Sequence, residues 1–133
     1  VVDSDIRPNL TPWRGSCVEI FGSLPEATTV GQIFLVPGAN DKPAVAYRQD
    51  GGKQIANPAI KVTSQPCDNG YEISALIPLA LLTLDPNAKT ILLEAQVTST
   101  DPQKKLTPQT AFGSTRAYMN NRNYAPFQIP TAP

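Results

Sequence analysis

The feature that most constrains this chain is the regular interruption of its apolar segments by turn-forming residues. Short apolar runs alternate with intervals rich in Pro, Gly, Asn and Asp, such as PGANDKP, QDGGKQ and STDPQKK. Short runs with apolar residues at alternate positions are typical of strands in an antiparallel sandwich. The predicted strands are Cys17–Phe21, Gln32–Val36, Ala44–Arg48, Ile60–Ser64, Tyr71–Pro78 and Ile91–Ser99, with a weaker one at Ala111–Tyr118 or Tyr124–Ile129.

The length and the uniformity of the chain indicate a single domain. A chain of 133 residues fits one domain with its own core. We find no internal repeat and no second compositional zone, so residues 1–133 are interpreted as one all-β domain. Only Leu79–Leu84 has helical spacing, and six residues after a proline allow one or two turns at most.

Composition excludes several classes of function. The chain has no histidine, which removes Ser-His-Asp and Cys-His catalysis and His-ligated zinc. Eleven basic residues balance eleven acidic ones and form no basic run, which argues against nucleic-acid binding. No apolar stretch approaches the roughly 18 residues of a membrane-spanning helix. We therefore expect neither a nucleic-acid partner nor membrane insertion.

Period-two alternation places several polar residues on sheet faces away from the predicted core. Glu19 alternates with the inward-facing Val18 and Ile20. Glu94 and Gln96 lie opposite the apolar face of the last long strand. An ordinary solvated surface and a binding face are both compatible with this pattern.

The two cysteines, Cys17 and Cys67, have neither zinc-site spacing nor a CxxC arrangement. They are therefore either a disulfide or two free thiols. A bridge would close a loop of about 51 residues and stabilise the fold by roughly 4 kcal/mol on a chain-entropy account. We predict the disulfide, which would indicate an oxidising compartment. Free thiols are the alternative.

The segment PWRGSCVEIF (Pro12–Phe21) resembles the most characteristic stretch of family 9 carbohydrate-binding modules, where Pro-Trp, a few polar residues and Ser-Val-Glu-Ile-Phe run together. Four further features keep the order of that family: VVD at the start, GYEISALIP, LLEAQVTSTDP and an aromatic-rich end closing on YAPFQI. The resemblance spans nearly the whole chain and implies a DOMON-like antiparallel β-sandwich. In that family Val1–Asp3 would end a strand, so the resemblance implies a sandwich incomplete at its N-terminus and part of a longer polypeptide.

The resemblance also implies a non-catalytic function, the binding of a carbohydrate. Modules of this kind hold a sugar between two aromatic rings while a Glu and a Gln reach its hydroxyls. Carried over position by position, Trp13 and Tyr118 are the rings, Glu19 is the carboxylate and Gln96 is the amide. A sugar has an apolar C–H face and a rim of hydroxyls, which these residue types suit.

The chain departs from that family in several places. Phe34 and Val36 stand where it has Arg and Asn, Ser16 stands where it has an acidic residue, and the second ring is Tyr118 in place of Trp. The ligand preference of the family is therefore not transferred. The alternative function is a structural or assembly domain of an extracellular or cell-surface complex that binds no sugar. Its exposed aromatic residues would then contact another subunit or the rest of the parent chain.

Catalysis and a cofactor are not expected. A glycosidase needs two carboxylates facing one cleft, and nothing in the pattern separates the pKa values of Glu19, Glu72 and Glu94. Calcium is a possible ligand at Asp3–Asp5 or Gly38–Asp41, which offer oxygen atoms. The expected location is extracellular, cell-surface or periplasmic.

Overall fold

The fold is all-β and antiparallel, as the sequence pattern predicts. The computed structural model describes residues 12–39, 42–68, 70–82, 85–100 and 105–130. Within these ranges a large sheet of seven strands packs on a small sheet of two, which confirms the predicted antiparallel sandwich. The strands are β1 (Cys17–Ser23), β2 (Gly31–Val36), β3 (Val45–Asp50), β4 (Lys53–Ala56), β5 (Lys61–Cys67), β6 (Gly70–Leu76), β7 (Thr90–Thr100), β8 (Leu106–Thr110) and β9 (Ala125–Gln128).

The long strand β7 organises one side of the large sheet. The strand order is β4-β3-β2-β1-β7-β8, and β9 also pairs with β7. The first residues of β7 pair with β9 and its last residues pair with β8, while β1 occupies its other edge. The small sheet is the β5–β6 hairpin. β1 therefore lies inside the large sheet, between β2 and β7.

The main core lies between the two sheets. Its partly buried members include Val18 and Ile20 of β1, as alternation predicted. A short 3₁₀ helix, Leu79–Leu82, packs its buried Leu82 there. Gly31 is required beside it, because a Cβ at that position would overlap the backbone of Leu82. The fully buried members of this core are Ile33, Leu35, Ala46, Ile60, Leu82 and Ile91.

The opposite face of the large sheet is also buried in part. One apolar cluster there contains Cys17, Phe34 and Tyr47, and another contains Phe21 and Tyr124. A second short 3₁₀ helix, Pro12–Arg14, and residues 111–124, named here the Tyr118 loop, cover these clusters. A purely solvated surface, one of the two options left by the sequence, is therefore wrong for this face.

Two strands were not predicted, and one of the two alternatives for the weak last strand is a loop. β4 follows the turn at Gly51, whose φ is 59°, so it is the second strand of a hairpin. β8 carries Pro108, which is tolerated because β8 lies at the edge of the sheet. Residues 111–118 cannot extend, because Gly113 and Arg116 both have positive φ. The alternative at the end of the chain, Tyr124–Ile129, is confirmed as β9.

The predicted disulfide between Cys17 and Cys67 is not formed in the structure, where both are free thiols. Cys17 is completely enclosed within β1 of the large sheet, whereas Cys67 is exposed at the end of β5. A disulfide requires two Cβ atoms that face each other closely. Burial, and secondarily the nearby Glu19, raises the pKa of the Cys17 thiol, which keeps it protonated.

The calcium expectation falls mainly on residues outside the described ranges. Asp3–Asp5 and Asn40–Asp41 all lie outside them. In the part of the chain that the structure describes, no group of three or more Cys, Asp or Glu side chains is placed to hold a metal ion. The helical segments within the same ranges are a few residues each, and none has the length and apolarity to cross a membrane.

Candidate functional site

A cavity of about 570 Å³ opens on the face of the large sheet that is turned away from the small sheet. All four residues that the sequence analysis assigned to sugar binding line this cavity. They come from the Pro12–Arg14 helix, two strands and the Tyr118 loop. Trp13 and Glu19 are close in sequence, whereas Gln96 and Tyr118 lie much later in the chain. The described lining residues are Trp13, Glu19, Gln32, Phe34, Gln49, Gly51, Gln96 and Tyr118.

Strand register builds the polar floor of the cavity. Glu19 of β1 lies directly opposite Gln96 of β7, and the two side chains point to the same face. The Gln96 side-chain amide donates to Oε2 of Glu19 at 2.9 Å. Gln32 of β2 donates its amide to Oε1 of Glu19 at 2.7 Å. The carboxylate is thus held between two amides in a fixed orientation.

Burial is the main influence on the Glu19 carboxylate. The side chain is only 3% exposed, and burial raises its pKa because a charged carboxylate loses hydration there. The hydrogen bonds from Gln32 and Gln96 favour the charged form and lower the pKa, but the net change is upward. Glu19 is therefore a carboxylate whose charge is only partly compensated by the protein.

Two exposed aromatic side chains line the cavity together with this floor. Trp13 is 38% exposed and Tyr118 is 59% exposed. The Trp13 ring lies against the buried Phe34, with ring centroids 5.8 Å apart and planes tilted by 40°. Phe34 therefore supports Trp13 from below. The exposed area of both rings is available to the apolar face of a ligand.

Glu94 holds the beginning of the Tyr118 loop in place. Its Oε1 accepts hydrogen bonds from the backbone N–H groups of Ala111 and Phe112, both at 3.1 Å. Its Oε2 accepts from the Ser114 hydroxyl at 2.6 Å. Burial by itself raises the pKa of Glu94, but these hydrogen bonds outweigh it and the pKa is lowered. Glu94 is thus an ionised anchor of the loop that carries Tyr118.

The end of the same loop is tied to β1 and to the segment that follows it. The Asn121 amide donates to the Ser23 hydroxyl at 3.0 Å and to the Ala27 carbonyl at 3.3 Å. The Tyr124 hydroxyl donates to the carbonyl of Ala117. With both ends fixed, the position of Tyr118 between them is restrained by the fold.

Four lining residues were not assigned to the site from the sequence: Gln32, Phe34, Gln49 and Gly51. Gln32 is two positions from Phe34, so β-strand alternation puts both on one face and could have revealed it. Gln49 donates to the Gly51 carbonyl at 2.6 Å and accepts from the Gln54 amide at 2.8 Å. This pair of bonds depends on the β3–β4 turn, which the sequence analysis treated only as an interval between strands.

The departures from the family 9 pattern at Phe34 and Val36 have a structural consequence. Phe34 and Val36 are both buried and pack in one apolar cluster with Cys17. Phe34 reaches the cavity, where it offers a ring. The positions that carry Arg and Asn in that family therefore contribute apolar surface in this chain.

Comparison with protein-family models, with curated proteins and with solved structures gives no match to this chain. The resemblance to family 9 modules accordingly stays a hypothesis from its sequence motifs. What supports a function is the geometry of the cavity itself.

Proposed function

We propose that this chain is a non-catalytic carbohydrate-binding domain and that the cavity lined by Trp13 and Tyr118 is its site. The observation that carries the proposal is the presence of two exposed aromatic rings and a fixed carboxylate–amide floor in one cavity. The C–H face of a pyranose packs on an aromatic ring, and its hydroxyls donate to Glu19 and exchange hydrogen bonds with Gln96. The cavity volume, about 570 Å³, lies within the range of roughly 300–1,000 Å³ of small-ligand pockets.

The arrangement of carboxylates favours binding over hydrolysis. Glycoside hydrolysis generally uses two carboxyl groups that flank the bond to be cleaved. Among the described residues that line the cavity, Glu19 alone carries a carboxylate. Glu94, on the same face of the sheet, has its carboxylate engaged by the Tyr118 loop. We therefore propose a binding function without catalysis.

We further propose that the domain belongs to a larger protein that is extracellular, at the cell surface or periplasmic. This proposal depends on the resemblance to family 9 modules. The disulfide between Cys17 and Cys67 would have supported an oxidising compartment, but it is not formed in the structure.

The proposal is tested by titrating the protein with neutral mono- and oligosaccharides and recording fluorescence and thermal melting. Trp13 is the only tryptophan in the chain, so a ligand on its ring changes the whole tryptophan signal. We expect saturable fluorescence changes and a raised melting temperature with at least one sugar. A flat response across a broad glycan panel would contradict the proposal.

An assembly role is the second candidate, and one observation favours it. Phe112 and Phe127 are both more than two-fifths exposed, and their ring centroids are 6.3 Å apart. Leu76 of the small sheet is 73% exposed. Exposed apolar surface of this kind is typical of contacts with other chains. An assembly domain would ignore sugars and would lose association with its partner in Phe127→Asp.

A further inference from the structure

The Glu19 carboxylate is a buried charge whose described partners are neutral. Its two oxygens accept hydrogen bonds from the amides of Gln32 and Gln96, and neither amide carries a formal charge. Among the side chains that the structure describes, none forms an ion pair with Glu19. Burying a carboxylate without an opposite charge is unfavourable, and a cation beside it removes much of that cost. Among the described side chains, the Glu19 charge thus has no counter-charge.

The other described lining residues do not supply the missing positive charge. They are aromatic, amide-bearing or glycine, and none is Lys or Arg. Phe34 supplies a ring at the cavity wall next to the carboxylate. An anionic ligand entering here would meet the Glu19 carboxylate, and like charges placed together are disfavoured.

The aromatic side chains add a second attraction for positive charge. The face of a Trp or Tyr ring is electron-rich and attracts an ammonium group within about 6 Å of its centroid. Trp13 and Tyr118 expose ring area at the same cavity that contains the Glu19 carboxylate. Aromatic rings together with a carboxylate form a combination that recognises organic ammonium groups.

We infer that the cavity selects a sugar bearing a protonated amine, an amino sugar of the aminohexose class, over neutral and acidic sugars. This inference rests on the proposed function. The ammonium group lies beside Glu19, forming charge-assisted hydrogen bonds with its oxygens. The hydroxyls of the same ring contact the amides of Gln49 and Gln96, and its C–H face packs on Trp13. A charge-assisted hydrogen bond is roughly twice as strong as a neutral one, which favours the amine over a hydroxyl at this position.

The test compares four monosaccharides: the cationic glucosamine, the neutral glucose and N-acetylglucosamine, and the anionic glucuronate. Titrations by calorimetry and Trp13 fluorescence are run at about pH 7, where an amino group of this kind is largely protonated. We expect glucosamine to bind on the order of ten-fold more tightly than glucose, because it makes one charge-assisted hydrogen bond that glucose lacks. N-acetylglucosamine, which has the same skeleton without the charge, should lose this advantage. Glucuronate should bind more weakly than glucose.

A matched pair of variants tests whether Glu19 causes the preference. Glu19→Gln keeps the shape of the side chain and removes its charge, so glucosamine should fall to the affinity of glucose. Glu72→Gln makes the same change at an exposed carboxylate on the small sheet and should leave the preference intact. Circular dichroism and a melting curve show whether each variant is folded. The wild-type ligand series tests the inference even if Glu19→Gln does not fold.

The outcomes separate this inference from the proposed function. Equal affinity for glucose and glucosamine overturns the amino-sugar preference and leaves sugar binding in place. Binding by none of the neutral or amino sugars overturns both. A glucosamine preference that persists in folded Glu19→Gln also overturns the inference, because the charge of Glu19 would not be its cause.

Discussion

Glu19 of β1 and Gln96 of β7 face each other across neighbouring strands, with the Gln96 amide donating to Glu19 Oε2 at 2.9 Å. The two residues are 77 positions apart in the sequence. Strand pairing places them side by side on the face that carries the cavity, so the register of β1 and β7 determines the site. A shift of that register by one residue would turn one of them to the opposite face.

The first prediction concerns the pH dependence of sugar binding. Burial raises the pKa of Glu19, and a protonated Glu19 loses the negative charge that ligand donors use. Binding should therefore be full well above this raised pKa and should weaken as the pH falls through it. The midpoint should lie above the ordinary value of 4.5. Calorimetric titrations of a neutral sugar at several pH values measure it.

The contribution of Glu19 to the free energy of unfolding should change with pH in the opposite direction to sugar binding. Because the pKa of Glu19 is higher in the folded protein, protonated Glu19 favours the folded state, and this contribution is lost as the pH rises through the raised pKa. Glu19→Gln should remove both the pH dependence of sugar binding and the pH dependence of stability that come from this carboxylate. If sugar binding by Glu19→Gln weakens at the same pH midpoint as in the wild-type protein, a group other than Glu19 causes the pH dependence.

The second prediction concerns Glu94 as the anchor of the Tyr118 loop. Glu94→Ala leaves the backbone N–H groups of Ala111 and Phe112 without their acceptor. We expect a loss of roughly 3 kcal/mol in the free energy of unfolding and weaker sugar binding because Tyr118 is released. Denaturant unfolding and sugar titration measure the two effects. Glu72→Ala, at an exposed carboxylate, is the matched control and should change neither.

The lowered pKa of Glu94 gives this stabilisation a defined pH range. Its contribution should be complete above the pKa of an unfolded Glu and should be lost as the pH falls through the lower folded value. In Glu94→Gln the acid-side loss of stability should be smaller than in the wild-type protein. If both proteins lose the same amount of stability as the pH falls, Glu94 is not an ionised anchor of the Tyr118 loop.

The third prediction tests the packing of the 3₁₀ helix on the large sheet. Gly31→Ala should destabilise the protein by about 1–3 kcal/mol, because the added Cβ would overlap the Leu82 backbone. Gly52→Ala is the control, since open space surrounds that position. Thermal melting of both variants measures the difference. Equal melting temperatures would mean that Leu82 does not pack against Gly31.

The fourth prediction distinguishes free thiols from a disulfide. Alkylation of the native, unreduced protein should modify Cys67, which is exposed, and should spare Cys17, which is buried and whose pKa is raised. Unfolding in denaturant should then expose both thiols. Intact mass after alkylation counts the modified thiols. Failure to modify either cysteine in unreduced, denatured protein would indicate that the disulfide exists after all.

The sequence places the residues that line the cavity on their sheet faces better than it predicts the loops around them. Period-two alternation and the motif resemblance both place Glu19 and Gln96 away from the main core, and the structure brings them together with Trp13 and Tyr118. Side chains alternate between the two faces of a sheet along each strand, so the face on which a residue lies follows from the sequence of its own strand.

What the sequence does not predict depends on contacts between distant segments. The role of Glu94 becomes visible only when the Tyr118 loop folds back onto β7, because its donors are backbone N–H groups of that loop. The edge strand β4 is short, exposed and placed by the turn at Gly51, so it lacks an apolar pattern. Cys17 lies in the large sheet and Cys67 in the small one, and both are free thiols.

The sugar site is tested most directly by a calorimetric titration of wild-type protein and Trp13→Ala with the same sugar series, neutral and amino. Phe127→Ala is the control, because it removes an exposed ring that does not line the cavity. We predict saturable binding by the wild-type protein and by Phe127→Ala, and a loss of at least about ten-fold in affinity in Trp13→Ala. No binding by the wild-type protein, or unchanged binding in Trp13→Ala, would contradict a sugar site at this cavity.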